Sequence, residues 1–472
     1  MNNPLSYYQQ HLETYKTEAE RLFKRMTTLS ILRVLVFLAT GFGVYLAFEN
    51  WQVSAIIGVS GVAIFIYLLS RYTDIKAQRN FNKALVAINK EEIKIASGDF
   101  HDRNQGLQFQ NPNHFYSLDI DLFGRGSFYQ FINRTTSNEG AQKLADALLA
   151  NNVENIILRQ NVIKELSNKP EWRQHYSATS SLVAVETPAK HIINWLQSYK
   201  TFLPKIMRWL PLAFVIITLV VFVLTIFEQI NMSFIGYWLL VGLGITGRYV
   251  KKTNVLSSKT DKVKDTFRQY ASLLNRIENE RFTSELLKEK QQKIQSEDKK
   301  ASVIFKELSK SLDALDNRNN LIGAIFGNGL FLSDIKNAYR IEQWINQYAD
   351  KVEDWFEVVS FFDAYNTLGG FAFNHPEFIF PEIKTNSDVI KAKDLGHPLL
   401  NKNKRVDSDL TIDNEQFFII TGANMAGKST FLRTVSLHIV MANIGLPICA
   451  KSSQYSPVKL ITSMRTSDSL TD

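Results

Sequence analysis

The chain has 472 residues, 45% of them hydrophobic, a single cysteine and a formal net charge of +8. That length predicts two to four domains, and one cysteine excludes an intrachain disulfide and fits a reducing compartment. The basic balance suits nucleic acid or anionic lipid, and an ordinary basic surface equally well.

Residues 1–30 are polar and predict a cytoplasmic N-terminal helix, without the early apolar stretch of a cleavable signal peptide. Four apolar segments follow along the chain: Ile31 to Phe48, Val53 to Leu69, Trp209 to Phe227, and a shorter glycine-rich one near Phe234 to Thr246. A membrane span takes about 20 residues, with roughly 17 as the lower limit. The segments therefore read as two transmembrane helical hairpins, residues 31–70 and 206–248, with buried core helices as the alternative. Arg21, Lys24, Arg25 and Arg33 precede or open the first hairpin, and Arg71, Lys76, Arg79 and Lys83 follow it. Its turn, Glu49-Asn50-Trp51-Gln52, has no Lys or Arg. The second hairpin repeats this, with Lys200, Lys205 and Arg208 before it and Arg248, Lys251 and Lys252 after it. Basic residues on one side of both hairpins predict a multi-pass inner (cytoplasmic) membrane protein, with both termini and the large soluble parts in the cytoplasm. Gly41, Gly43, Gly236, Gly242 and Gly244 are candidates for close helix packing.

Residues 71–205 read as a helical domain, with a cap at Ser137 or Asn138 and a helix stop near Asn168-Lys169-Pro170. In residues 249–372, Val263, Phe267, Tyr270, Leu274 and Ile277 follow a heptad-like stripe that weakens after Phe282 and resumes at Leu308, Leu312 and Leu315. A pair of long antiparallel helices is expected there. The lysines and arginines of this stretch are interspersed with acids and read as a solvated face rather than a phosphate-tracking one. Residues 373–472 open at Asn374-His375-Pro376 and read as β-rich up to residue 420.

The most specific motif lies at Thr421-Gly422-Ala423-Asn424-Met425-Ala426-Gly427-Lys428-Ser429-Thr430. Phe417-Phe418-Ile419-Ile420 before it suits a buried strand, and Phe431 to Val440 after it suits a helix. Strand, glycine loop and helix form the context of a phosphate-binding loop. Gly422 and Gly427 let the backbone curl so that successive N–H groups face an anion, and the following helix adds its positive end. Lys428 would bridge the outer phosphates and Ser429 would hold Mg²⁺. The candidate ATP site is thus Gly422, Ala423, Asn424, Met425, Ala426, Gly427, Lys428, Ser429 and Thr430, with Ser429 as the metal ligand.

The run from Asn424 through Arg433 resembles the MutS family of DNA mismatch-repair ATPases. So do Gly396-His397-Pro398-Leu399-Leu400 and Ala442-Asn443-Ile444-Gly445-Leu446-Pro447-Ile448-Cys449-Ala450. A second block fits the start of that family's helical core: Leu118-Asp119-Ile120-Asp121-Leu122-Phe123-Gly124, Phe128, Asn133-Arg134-Thr135-Thr136, Gly140, Arg159-Gln160 and Glu165-Leu166. The resemblance implies ATP and Mg²⁺ as cofactors, DNA as a ligand, a homodimer closed through the ATPase domains, helical levers, and His397 and Asp468 near the nucleotide. The family's Phe-x-Glu mismatch reader has no counterpart near the N-terminus. Phe305-Lys306-Glu307 matches by letters only and reads as chance inside a helix.

The fold expected is multidomain: two transmembrane helical hairpins, an all-α core and lever domain, and an incomplete α/β P-loop ATPase domain of ABC type. The acidic pair that orders Mg²⁺ and the base that activates water lie beyond residue 472 in the family pattern, so the catalytic residues are unassigned. The function expected is a membrane-tethered MutS-like ATP-binding protein acting on DNA structure, mismatch or damage. The alternatives are an ABC-transporter-like membrane ATPase and a MutS-like scaffold with no DNA role.

Overall fold

The computed structural model describes residues 3–183, 187–261, 263–295, 299–316, 321–384, 388–413, 415–421, 423 and 427–463. Two helices, α1 (Pro4–Leu46) and α2 (Trp51–Ala96), form an antiparallel hairpin closed by the Asn50 N-cap, whose side chain accepts from the Gln52 and Val53 amides. At 43 and 46 residues they extend about 65–70 Å at 1.5 Å per residue. Polar residues 4–30 and the apolar segment after them form one continuous helix, because no proline or left-handed residue interrupts the helical hydrogen bonds there. The hairpin has two unlike ends. At its base, Tyr8, Leu22, Met26, Leu85 and Ile95 are buried, and Asn89 and Gln174 exchange side-chain hydrogen bonds. Toward its tip, Val34, Phe37, Leu38, Val59 and Val62 are exposed.

The helical body comprises α3 (Phe128–Ile132), α4 (Asn138–Leu149), α5 (Ile156–Ser167), α6 (Pro170–Ser181) and α7 (Ala189–Ser198). Then come α8 (Leu210–Ile226), α9 (Ser233–Asp261), α10 (Lys264–Asn279), α11 (Glu285–Lys293), α12 (Ala301–Asp316), α13 (Leu321–Phe331) and α14 (Ser333–Asn374). The 42-residue α14 is the axis of the body. Its second half is buried all round, which is why its sequence reads as aromatic without a polar face. Asp363 breaks that apolar run for a local reason. Its carboxylate accepts from the amides and hydroxyls of Thr136 and Ser137, the residues that open α4.

The stripe Val263, Phe267, Tyr270, Leu274 and Ile277 is buried along its whole length. Its elements are shorter than expected: α10 and α12 are an antiparallel pair of 16 residues each rather than long levers. Lys264 pairs with Asp316, and Arg268 with Asp313. The helix breaks after Asn279 because the Glu165 carboxylate captures the Thr283 and Ser284 amides, each at 2.7 Å. Phe305 is fully buried against Trp344 and Phe356, a core residue.

The C-terminal part holds β1 (Glu382–Ile383), β2 (Ile390–Leu395), β3 (Ser408–Ile412), α15 (Lys428–Ile444) and β4 (Ser452–Tyr455). The strands form one mixed sheet in the order β1-β4-β2-β3, parallel only between β1 and β4. One hydrophobic core runs without a break from Tyr116 in the body to Leu460 beside α15.

Two expectations change. Phe417-Phe418-Ile419-Ile420 is not a strand: all four residues are exposed and none pairs with a described strand. An extended segment without a ladder partner leaves its amides and carbonyls to water, so apolar composition alone does not make it a strand. The parallel ATPase sheet is accordingly absent among the described residues. Of the four expected spans, two helices, α1 and α2, are long and apolar enough to cross a membrane. Helix α8 has 17 residues, at the lower limit of a span, and the apolar part of α9 gives way to Arg248, Lys251 and Lys252.

Candidate functional site

The site is built around the first turn of α15. Gly427 takes a left-handed conformation, φ +83°, and its carbonyl accepts from the Phe431 amide at 2.9 Å, so the helix begins directly behind it. Among the described residues, no atom lies within 4 Å of where a Cβ on Gly427 would be. A side chain there would still be strained by the backbone angle, which is the reason for glycine. The Lys428 ammonium folds back and donates to the Ala423 carbonyl at 2.8 Å. Ser429 and Thr430 are exposed in the first helical turn, and the Thr430 carbonyl accepts from the Thr434 hydroxyl. The first amides of a helix lack intrahelical acceptors, so this end carries free N–H groups and a positive dipole end, with a lysine beside them. Of the sequence-derived site residues, Ala423, Gly427, Lys428, Ser429 and Thr430 are brought together here. Gly422, Asn424, Met425 and Ala426 lie outside the described residues, as does Asp468.

Both ends of α15 are tied to the helical body. Near its start, Arg433 donates to the Asp119 carbonyl at 3.1 Å and pairs with the Asp121 carboxylate at 2.8 Å. At its end, Arg159 donates to the Asn443 carbonyl at 3.0 and 2.7 Å. Gly445, φ +85°, terminates the helix, and a Cβ there would stand 2.8 Å from that of Arg159. Beyond the helix, Asn151 and the Leu460 backbone exchange two hydrogen bonds of 2.9 Å, and the Thr462 hydroxyl donates to Asp119 at 2.6 Å. The blocks around Asp119 and Arg159, distant in sequence from the glycine loop, are therefore what holds its helix.

A cavity of about 1110 Å³ opens beside this junction, lined by Asp121, Arg134, Glu377, His397, Arg405 and Arg433 among others. Burial, with the Arg433 and Arg405 guanidiniums, pushes His397 down to about 4, so its imidazole is neutral at pH 7. Its Nδ1 accepts from the Leu399 amide at 3.3 Å, which places the proton on Nε2. The positioning roles of Asp119, Asp121, Arg159 and Arg433 were not assignable from spacing, because each acts through a backbone carbonyl or a partner hundreds of residues away.

Parts of the chain are similar to known proteins. A family model described as MutS domain V matches residues 418–472, the stretch containing the glycine loop and α15. Another, described as an N-glycosylation protein, matches residues 171–319 in the helical part. DNA mismatch repair protein MutS of Syntrophomonas wolfei is 32% identical over 148 residues, 30% of this chain and 17% of that protein. MutS of Acetivibrio thermocellus is 41% identical over 100 residues, 20% of this chain and 11% of that protein. MutS of Petrotoga mobilis is 27% identical over 217 residues, 44% of this chain and 22% of that protein. A left-handed glycine ahead of a helix that a helical body clamps is the arrangement found, and the stretch that carries it is similar to MutS domain V. The matched stretches span between 11% and 22% of the length of these relatives.

Proposed function

We propose that this chain is a membrane-tethered, nucleotide-binding protein of MutS type. ATP with Mg²⁺ binds at the start of α15, and the helical body carries the effect of the nucleotide to a DNA ligand and to a second copy paired through the ATPase segments. The observation that carries this is the left-handed Gly427 directly ahead of α15, with the Lys428 ammonium on the Ala423 carbonyl. Bound phosphates would replace the Ala423 carbonyl as the partner of Lys428, and Ser429 would supply a hydroxyl to Mg²⁺. The metal neutralises phosphate charge when bound; the chain's own part is to hold the polyanion against the helix end. DNA as ligand is supported by the names of the relatives, DNA mismatch repair protein MutS. Tethering is supported by the exposed apolar lengths of α1 and α2 and by the basic residues at their polar ends.

Lys428→Ala removes the charge that meets the outer phosphates and is expected to weaken Mg²⁺–ATP binding at least tenfold, about 1.4 kcal/mol. Titration of a fluorescent ATP analogue with the parent and variant reads this. Equal affinity would remove the site assignment.

A further inference from the structure

The apolar hairpin of α8 and α9 has a third member. Helix α13 and the residue after it read Leu-Ile-Gly-Ala-Ile-Phe-Gly-Asn-Gly-Leu-Phe-Leu, without a single charge. The α13 backbone comes directly against α9: a Cβ on Gly242 would stand 2.2 Å from the Gly329 carbonyl oxygen, and one on Gly329 would stand 2.7 Å from the Leu239 side chain. Only glycine at both positions permits that approach. Thr218 of α8 joins the three helices. Its hydroxyl donates to the Leu330 carbonyl at 2.9 Å and accepts from the Trp238 indole at 2.8 Å, while Trp238 stacks on Phe214.

These contacts fix the height of α13. Thr218 lies eight residues past the start of α8 at Leu210, so the end of α13 stands about 12 Å up that helix. There Leu332, φ +48°, turns the chain into α14. Asn328 supports the turn by accepting from the Asp334 amide at 2.9 Å. Helix α14 then descends into the body, where Glu342 accepts from the Phe202 and Leu203 amides. Below the turn the exposed residues become basic: Lys336 and Arg340 on α14, Lys205 and Arg208 before α8, and Arg248 and Lys251 on α9. On α13 itself, Ile322, Ile325, Phe326 and Phe331 are exposed.

We infer that α13, with the turn at Phe331-Leu332, is a re-entrant element that dips into the lipid leaflet next to the helical body. This rests on the membrane reading above and extends it to a helix too short to span. Eleven residues make about 16 Å of helix, roughly half of an apolar core about 30 Å thick. The belt of lysines and arginines lies at the level of anionic headgroups and stops deeper entry.

Nitroxide labels on Phe326→Cys, Leu219→Cys and Leu38→Cys report this in the full chain, reconstituted in phosphatidylethanolamine–phosphatidylglycerol vesicles. All three side chains are exposed and the native Cys449 is buried, so folding and background labelling are little affected. Oxygen, which concentrates in lipid, is expected to relax the label at 326 as strongly as at 219, within about twofold, with a water-soluble nickel chelate ineffective at both. A label at 326 relaxed by nickel while those at 219 and 38 respond to oxygen overturns the inference and leaves the membrane reading standing. Nickel access at all three overturns both. A label at 326 reached by neither reagent means that protein covers this face, which also overturns the inference.

Discussion

The Arg433 guanidinium, one turn into α15, sits 2.8 Å from the Asp121 carboxylate and donates to the Asp119 carbonyl at 3.1 Å. One side chain thus joins the helix that carries the glycine loop to the segment that opens the helical body. Asp121 is held at φ +49°, a strained angle for a non-glycine residue that the surrounding contacts maintain. Both partners of the pair are more than one-third exposed, so solvent screens it and its contribution to stability is about 1 kcal/mol or less.

Arg433→Ala is therefore expected to change folding stability by about 1 kcal/mol while altering how the loop is presented. A double-mutant cycle with Asp121→Asn, read by urea unfolding, should give a coupling below about 1 kcal/mol. A coupling of several kcal/mol would mean that the pair is desolvated and the junction closed.

Gly445→Ala is expected to cost more. The left-handed backbone penalises any Cβ by about 1–2 kcal/mol, and this one meets Arg159 at 2.8 Å. Loss of about 2–4 kcal/mol follows if Arg159 is forced away from the Asn443 carbonyl, with a lowered unfolding midpoint as the readout. Gly41→Ala is the control, since no atom stands within 4 Å of its Cβ position and its φ is helical.

Much of this arrangement was legible in the residues. The glycine loop announced a helix after Gly427, and α15 begins at Lys428. The five-residue stripe from Val263 to Ile277 is buried, and Ser137 caps α4. What was not legible depends on partners remote in sequence. Phe417 to Ile420 has strand composition, but a strand needs a ladder, and no described strand lies beside it. The lever pair shortened because Glu165, more than a hundred residues earlier, captures the Thr283 and Ser284 amides just past the helix end at Asn279. Helix α13 has no helical periodicity to read, because Gly323, Gly327 and Gly329 interrupt it, and the turn at Leu332 that separates it from α14 carries no glycine or proline.

One buried imidazole, His438, and one half-buried, His397, set an acid limit. Burial pushes His438 down to about 4, as burial with Arg433 and Arg405 does His397. In the unfolded chain both titrate near 6.5. Between pH 6.5 and 4 the unfolded state holds more protons, so stability is full above about 6.5 and falls as the pH drops toward 4. Each group is expected to withdraw up to about 3 kcal/mol over that window. Urea midpoints measured from pH 7 to pH 4.5 should decline, and His438→Gln should flatten the decline. The same slope in that variant would assign the acid sensitivity elsewhere.

The basic residues flanking both hairpins give the last expectation, an orientation. Arg33 lies over the Tyr72 ring at 4.2 Å and Arg79 over Phe23 at 4.5 Å, so cationic side chains sit where the apolar part of the α1–α2 hairpin meets its buried base. The turns at Asn50 and Asn231 carry no Lys or Arg. Positive residues stay on the cytoplasmic side, which puts both turns outside and the helical body inside. Because the native Cys449 is buried, single cysteines report this cleanly. Asn50→Cys and Asn231→Cys should react with an impermeant maleimide in intact cells, and Asn403→Cys, exposed between β2 and β3, should react only after lysis. Labelling of Asn50→Cys alone would keep the first hairpin as a span and return α8 and α9 to the inner face of the membrane. Labelling of Asn403→Cys in intact cells would invert the orientation.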